Sequence, residues 1–348
     1  MKILLTGVAG FIGSHLAERL LAEGHEVVGL DSFDSYLYDA GTKERNAALL
    51  AGRRRFSLVR GDILDGPLLR DLTPGVDLVV HLAALAGVRP SIAEPARYVR
   101  TNVEGTVQVL EACRAGGIQR LVFASSSSVY GARGGERAAF VESDPCLQPA
   151  SPYAATKRAG ELLCSNYRDL FGIGSAQLRF FTVYGPRQRP EMAIHLFTRL
   201  IAARKTVSLF GDGSSARDYT YVDDIVDGAY AACLKVRPGE SVIYNLGGSR
   251  TTTLRRLVQL IGAALGEEPI LAFQPDQPGD VPITYADVTR AARDLGYAPR
   301  VPIEEGIRRF VAWYLDQSRA AEAFALHRPP AMRPLGLGRQ APQRRPMP

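Results

Sequence analysis

The sequence predicts an α/β protein built on a Rossmann-type, doubly wound parallel sheet, with a smaller C-terminal α/β substrate domain. Three observations lead there. Short apolar runs alternate with amphipathic helical stretches through the first half of the chain. The first run opens into a glycine triplet, Gly7, Gly10 and Gly13, and the second closes on a carboxylate, Asp31. Apolar runs without polar interruption suit strands covered on both faces, and strands separated by helices pair in parallel.

Taken in order, the runs Ile3–Thr6, Glu26–Leu30, Phe56–Val59, Leu78–Leu82, Arg120–Ala124 and Ala176–Phe180 read as strands. Ile12–Ala22, Asn46–Ala51, Val103–Ala115 and Pro152–Phe171 read as the helices between them. Regular structure is expected to stop at Thr182-Val183-Tyr184-Gly185-Pro186. Helices are expected again at Glu191–Ala203, Val222–Cys233, Leu254–Leu265, Val288–Leu295 and Ile303–Asp316, the last two bounded by Asp287, Gly296 and Pro302. Residues 1–180 then form the Rossmann domain, with segments at about 215–250 returning to it, and 181–316 mainly the substrate domain. Residues 317–348 are a Pro/Arg-rich tail; six prolines in the last twenty residues and no apolar periodicity predict disorder.

The 348 residues are 46% hydrophobic and 22% charged, enough to bury a large core. The net charge of +6 raises nucleic-acid binding, but residues 319–348 hold six arginines against one acid, Glu322. The rest is nearly neutral, without interleaved aromatics or a nucleic-acid motif, so no such partner is expected. Cys113, Cys146, Cys164 and Cys233 are widely spaced and the histidines form no H-x-x-H cluster, so free thiols and no metal site are expected. The opening apolar run breaks at Thr6-Gly7 and fails as a secretion signal, and no segment reaches the ~18 apolar residues of a membrane span. A cytoplasmic protein with no membrane partner is expected.

Gly7-Val8-Ala9-Gly10-Phe11-Ile12-Gly13 lies between the first strand and the first helix. Glycines there permit a sharp turn and let backbone N–H groups approach a pyrophosphate at the helix N-terminus. The spacing is one residue longer than the usual dinucleotide fingerprint, and a tight turn with close helix packing would use glycine too. Asp31 favours the ligand reading. A carboxylate closing the second strand accepts hydrogen bonds from ribose hydroxyls and repels a 2′-phosphate, which selects NAD over NADP.

Tyr153 and Lys157 lie four apart in Ser151-Pro152-Tyr153-Ala154-Ala155-Thr156-Lys157. With Ser151 as N-cap and Pro152 in the first turn, both side chains project from one helix face. An ammonium beside a phenol is expected to lower its pKa from ~10, readying it to take a proton from an alcohol. A Y-x-x-x-K pair recurs on helices by chance, and a serine run is often just a loop. Here the pair comes after Ser125-Ser126-Ser127-Ser128, which ends a strand where hydroxyls would face a nicotinamide.

Together the glycine loop, Asp31, the serine run, Tyr153 and Lys157 resemble the extended short-chain dehydrogenase/reductase family over about residues 1–315. The resemblance implies a tightly held NAD, a C-terminal domain gripping a nucleotide sugar, and a homodimer. Asp62-Ile63 matches the family's adenine contact, Leu82-Ala83-Ala84 the strand along the cofactor, and Asn102 its structural helix residue, counted with the cofactor contacts. Arg217, in Gly211-Asp212-Gly213-Ser214-Ser215-Ala216-Arg217, matches an arginine that holds the nucleotide diphosphate.

Family members share oxidation to a 4-keto sugar and differ in the step after it. The dehydratases carry Asp-Glu before the Val-Tyr-Gly beyond the serine run, and the UDP-glucuronate decarboxylases keep a glutamate there; this chain has Ser127-Ser128. Return of the hydride, an epimerisation, is the outcome left. Ala86-Gly87-Val88-Arg89-Pro90-Ser91, Thr182-Val183-Tyr184-Gly185-Pro186 and Arg189-Pro190-Glu191-Met192-Ala193 resemble UDP-glucuronate 4-epimerases, with Pro90 in place of a tyrosine and Glu191 of an aspartate. Gln277-Pro278-Gly279-Asp280 stands where the simple UDP-glucose epimerases place an arginine, and Asp280 is counted with the substrate contacts. Oxidised glucuronate is a β-keto acid that loses CO₂ when its carboxylate stands perpendicular to the carbonyl. Thr182, Ser127 and Ser128 are candidate hydrogen-bond partners for that carboxylate, Arg189 a charge-assisted one, and Arg89 a second anion contact. Loop solvation or an inter-subunit salt bridge accounts for either arginine as well. Epimerisation of neutral UDP-hexoses or of another nucleotide sugar, and a non-catalytic NAD-binding sensor, are the competing readings.

Overall fold

A computed structural model describes residues 1–131, 139–275 and 283–326. The elements run β1 Lys2–Thr6, α1 Phe11–Ala22, β2 Glu26–Asp31, α2 Ala40–Ala48, β3 Phe56–Arg60, α3 Gly66–Asp71 and β4 Leu78–His81. Next come α4 Val88–Ala93, α5 Pro95–Val99, a wide helical turn at Arg100–Glu104, α6 Gly105–Ala115, β5 Arg120–Ser126, a tight turn at Ser127–Tyr130, α7 Pro152–Phe171 and β6 Gly174–Phe180. The rest is β7 Thr182–Tyr184, α8 Ala193–Ala202, β8 Val207–Phe210, β9 Ala216–Arg217, β10 Tyr219–Tyr221, α9 Val222–Lys235 and β11 Ser241–Leu246. It closes with β12 Thr252–Thr253, α10 Leu254–Leu265, β13 Leu271–Gln274, β14 Ile283–Thr284, α11 Thr289–Leu295 and α12 Ile303–Leu326.

Seven strands form one sheet in the order β11-β6-β5-β4-β1-β2-β3, every pair parallel. The order reverses between β1 and β4, so the connections leave in opposite directions and open a crevice at the strands' C-terminal ends. β4, β5 and β6 are almost wholly buried, as their unbroken apolar runs require. One apolar cluster packs Leu16, Ala17 and Leu20 of α1 with Ile225 and Ala229 of α9 on one face. Val109 and Leu110 of α6 with Cys164 of α7 cover the other. Short sheets complete the architecture: β10 with β7, β8 with β13, and β9 between β12 and β14.

Four element expectations need correction. The helix expected at Asn46–Ala51 lies earlier, at Ala40–Ala48, because it buries only Asn46 and Ala47 and so shows no apolar stripe. The helix expected from Val103 is entered through α5, and the wide turn inserts between them at Arg100–Glu104. Structure does not stop at Thr182: Thr182–Tyr184 pairs in parallel with Tyr219–Tyr221, a partnership between distant segments that local pattern cannot show. The last helix continues past Asp316 to Leu326, inside the stretch expected to be tail, and residues 327–348 lie outside the described residues. None of the described helices is long and apolar enough to cross a membrane. The four cysteines are free and buried, and no metal-binding cluster occurs among the described residues.

A buried ion pair ties α7 to the sheet. Arg179 of β6 donates to both oxygens of Glu161 at 2.8 and 2.9 Å, and both side chains are 1% exposed. Ser125 donates to the same carboxylate at 2.6 Å and the part-buried Arg158 at 2.8 Å, which holds Glu161 below its usual carboxylate range despite burial. Removing one partner strands a buried charge. The Arg179→Met variant is therefore expected to lose about 3–5 kcal/mol of unfolding free energy in urea titration, and a loss under about 1 kcal/mol would show the pair to be dispensable.

Candidate active site

A cavity of about 470 Å³ occupies the crevice where the strand order reverses. Gly7, Gly10, Phe11, Ile12 and Gly13 line it from the β1–α1 turn, Asp31 from β2, and Asp62-Ile63 from beyond β3. Leu82-Ala83-Ala84 line it from beyond β4, Ser126-Ser127-Ser128 from β5 and its turn, and Tyr153 and Lys157 from α7. Thr182 and Arg189 complete the wall on the side of β6 and β7.

The turn is built for close approach. Gly7 sits at φ +74°, and a Cβ there would lie 2.8 Å from the Ala83 nitrogen; at Gly13 it would lie 2.1 Å from the Gly7 carbonyl. Gly10 caps α1 without a side chain, and a Cβ added to it would meet only the Gly7 carbonyl, at 3.1 Å. An open, uncapped helix start with its dipole facing the cavity suits a diphosphate. Asp31, 6% exposed, accepts from Ala9 N at 3.0 Å on one oxygen and from Phe33 N at 2.9 Å on the other. Each oxygen keeps a second lone pair, as a ribose diol requires. These groups fit NAD.

Ser151 caps α7 by accepting from Ala154 N at 3.1 Å, and Pro152 begins the helix. This aims Tyr153 and Lys157 at the end of β5. The expected lowering of the phenol pKa by Lys157 is not what this chain alone displays. Burial raises the Tyr153 phenol, while a hydrogen bond with Ser126 and the charge of Arg189 pull it back. Lys157 donates to the Ala124 carbonyl at 2.8 Å, and burial lowers its own pKa to about 8. Ser126 also contacts Ser128, Oγ to Oγ at 3.1 Å.

Not every expected residue reaches the cavity. Asn102 lies one layer behind it, 3% exposed. Its Oδ1 accepts from Leu85 N at 2.8 Å, and its Nδ2 donates to the Leu85 carbonyl at 2.9 Å and Thr156 Oγ1 at 3.0 Å. It braces the wall rather than touching a cofactor. Arg89 is exposed outside the lining, its guanidinium 5.3 Å from the Phe210 ring centre. Arg217 is also outside the lining, in β9, with Nη1 donating to the Ala216 carbonyl at 3.0 Å. Asp280 lies outside the described residues.

Sequence reasoning missed the segment after Asp31. Ser32, Asp34, Leu37, Tyr38 and Lys43 all line the cavity, and Lys43 Nζ is held by the Asp34 carbonyl at 2.8 Å. Its position past the end of a parallel strand was the available signal, since ligands sit beyond the carboxyl ends of such strands.

A buried hydrogen-bond chain connects the walls. Thr106 Oγ1 donates to the Asn102 carbonyl at 2.6 Å, so it accepts from His81 Nε2 at 3.1 Å. His81 Nδ1 then accepts from Thr6 Oγ1 at 2.8 Å, and Thr6 Oγ1 accepts from Ala83 N at 3.2 Å. At the far end Thr156, bonded by Asn102, donates to the Tyr153 carbonyl at 2.8 Å.

The fold and the site define a Rossmann-type enzyme that binds a dinucleotide beside a tyrosine–lysine pair. The chain belongs to the NAD dependent epimerase/dehydratase family, whose model matches residues 3–247. It is 42% identical over 335 residues to UDP-glucuronate 4-epimerase 4 of Arabidopsis thaliana, covering 91% of this chain and 76% of that one. The crystal structure of UDP-glucuronic acid 4-epimerase from Bacillus cereus, in complex with UDP-glucuronic acid and NAD, is similar at a TM-score of 0.83 and 37% identity, covering 91% and 100% of the two chains. The dTDP-glucose 4,6-dehydratase DesIV from Streptomyces venezuelae, with NAD bound, is similar at a TM-score of 0.84 and 34% identity, covering 92% and 98%.

Burial lowers the His81 imidazole from the ordinary 6.5 to about 3. Between those values the unfolded chain binds a proton that the folded chain refuses, so stability falls as pH drops through that window. The His81→Gln variant should lose that share of acid lability, on the order of 4 kcal/mol by pH 3 in urea unfolding. Parallel pH profiles for the two proteins would show that His81 is not held neutral.

Proposed function

We propose that this chain is an NAD-dependent 4-epimerase of a nucleotide sugar, with UDP-glucuronate as its substrate. One observation carries the reading: the distribution of charge along the cavity. The carboxylates among its described lining residues are Asp31, Asp34 and Asp62, all on the β2–β3 side of the switch point. Around Tyr153 the lining offers hydroxyls and one guanidinium, from Ser126, Ser127, Ser128, Thr182 and Arg189. A dehydration needs a second acid–base pair beside the sugar, and an acidic sugar needs hydrogen-bond donors there; this wall answers the second need.

NAD, when bound, would supply a hydride acceptor and, once reduced, a hydride donor. Tyr153 takes the proton of the 4-hydroxyl as that carbon is oxidised, and Ser126 hydrogen-bonds the developing carbonyl. Lys157 holds its ammonium behind the phenol against the Ala124 carbonyl. Ser127, Ser128 and Thr182 hold the sugar carboxylate away from the alignment that releases CO₂, and Arg189 pairs with it. The keto sugar turns about its diphosphate linkage, and as C4 regains the hydride on its opposite face, Tyr153 returns the proton to the C4 oxygen. Asp31 binds the adenosine ribose, and the first turn of α1 the pyrophosphate. The relatives named above support this assignment, because both 4-epimerases carry glucuronate in their names.

The working unit is a homodimer in the cytoplasm. Ile92, Val99 and Leu162 are exposed on α4, α5 and α7, helices that pack on one another, and a second copy would cover them. Residues 1–180 form the cofactor domain, joined by β11 in the same sheet and α9 packed on it, and 181–316 form mainly the sugar domain.

The Tyr153→Phe variant should keep NAD through purification while turnover falls about 10²- to 10⁴-fold; retained turnover would remove Tyr153 from its role. Incubation with UDP-glucuronate and UDP-glucose separately, with the epimers resolved, tests the sugar. Conversion of UDP-glucose alone would install the neutral-hexose reading instead. The Arg189→Ala variant should raise KM for UDP-glucuronate roughly tenfold or more and leave binding of UDP unchanged.

A further inference from the structure

The loop between β7 and α8 carries Gln188, Arg189 and Met192 into the cavity wall. It is fastened to α1, the helix whose first turn lines the other end of the same cavity. The Pro186 carbonyl accepts from His15 Nε2 at 3.0 Å, which places the imidazole proton on that nitrogen. Arg187 Nη1 donates to Ser14 Oγ at 3.2 Å, and Arg187 Nη2 binds Glu18 Oε2 at 2.6 Å. Ser14 is buried and donates onward to the Phe11 carbonyl at 3.1 Å, so it is free to accept from Arg187. Burial and the nearby guanidinium keep His15 neutral, lowering it to about 4.

The backbone adds a second observation. Arg187 adopts φ +67°, a left-handed conformation that costs free energy for any residue but glycine. Such strain persists where contacts on either side over-determine it. His15 holds the residue before, and buried Gln188 holds the residue after, donating to the Val183 carbonyl at 3.0 Å and presenting its own carbonyl to His195 at 2.8 Å. Arg189 comes at once after it, bridged to Glu191 at 3.1 Å.

We infer that Ser14, His15 and Glu18 on α1, with Pro186 and Arg187 on the loop, form a clamp that positions Arg189 against the sugar. These are positioning residues. They make the cofactor helix and the sugar-binding loop one rigid body, so the distance between the two ligands is set by the protein. The inference rests on the reading of Arg189 as the partner of the substrate carboxylate.

The test uses the full chain with NAD bound and the variants Glu18→Gln and Arg187→Gln. Arg53→Gln is the control, because Arg53 binds the other Glu18 oxygen at 2.8 Å without touching the loop. Hydrogen exchange is read at the Gln188 and Met192 amides, which bond to the Gly185 and Arg189 carbonyls. Exchange there should quicken about tenfold or more in both clamp variants, the scale of a lost charge-assisted hydrogen bond. KM for UDP-glucuronate should rise roughly tenfold with kcat within about twofold, and Arg187→Lys should restore part of the loss. The control should match the parent protein in both measurements. Unchanged exchange in the clamp variants, or faster exchange with an unmoved KM, overturns the clamp. If the parent protein does not turn over UDP-glucuronate at all, the substrate assignment falls, and exchange alone then decides the clamp.

Discussion

A chain of hydrogen bonds with no spare donor runs through largely buried groups behind the cavity, and the shape of the site depends on it. It starts at the Ala83 amide, passes through Thr6, His81 and Thr106 to Asn102, and continues through Thr156 to the Tyr153 carbonyl. Each polar group in so low a dielectric is costly unless it is paired. Pairing all of them leaves little freedom in the relative position of β1, β4, the wide turn and α7. The backbone beyond β4 and the helix carrying Tyr153 are therefore set by one network.

The wide turn at Arg100–Glu104 makes sense in that light. Wide helical turns are uncommon and concentrate at functional sites. Here the turn presents Asn102 to the Leu85 backbone, which has no strand partner past the end of β4, and to Thr156 on α7. The buried Glu161–Arg179 pair does similar work on the other side of α7, joining it to β6 just ahead of the Phe180, Phe181 and Thr182 wall. α7 is thus held at both flanks, and Tyr153 and Lys157 project from it into the cavity.

Preorganisation of this kind suits the chemistry. An enzyme that oxidises a sugar and then reduces the other face must keep its proton carrier in place while the sugar turns. In the role proposed for it, Tyr153 on a helix fastened at both flanks meets that requirement. The hydroxyl-rich wall of Ser126, Ser127, Ser128 and Thr182 tolerates either face, because hydroxyls rotate to donate or accept as needed. Carboxylates in the same place would draw the oxidised sugar toward elimination.

Much of this was legible in the residues. Strand runs, the glycine spacing, Asp31 and the Tyr153–Lys157 pair are short patterns, legible from their own spacing and their order along the chain. The sequence by itself determined the parallel sheet and singled out the glycine turn, Asp31 and Tyr153, which the fold brings to one cavity. Tertiary structure alone decided which distant side chains share the cavity. It set Asn102 behind the wall, left Arg89 on Phe210 outside it, brought Lys43 in, paired β7 with β10 and seated Arg187 on Glu18 across 169 residues. It also reversed the expected effect on the phenol, since burial around Tyr153 outweighs the stabilising contacts that the chain alone supplies. The physical reason is the same throughout. Periodicity reports which face of an element is apolar, whereas contact, desolvation and charge pairing depend on which element that face meets.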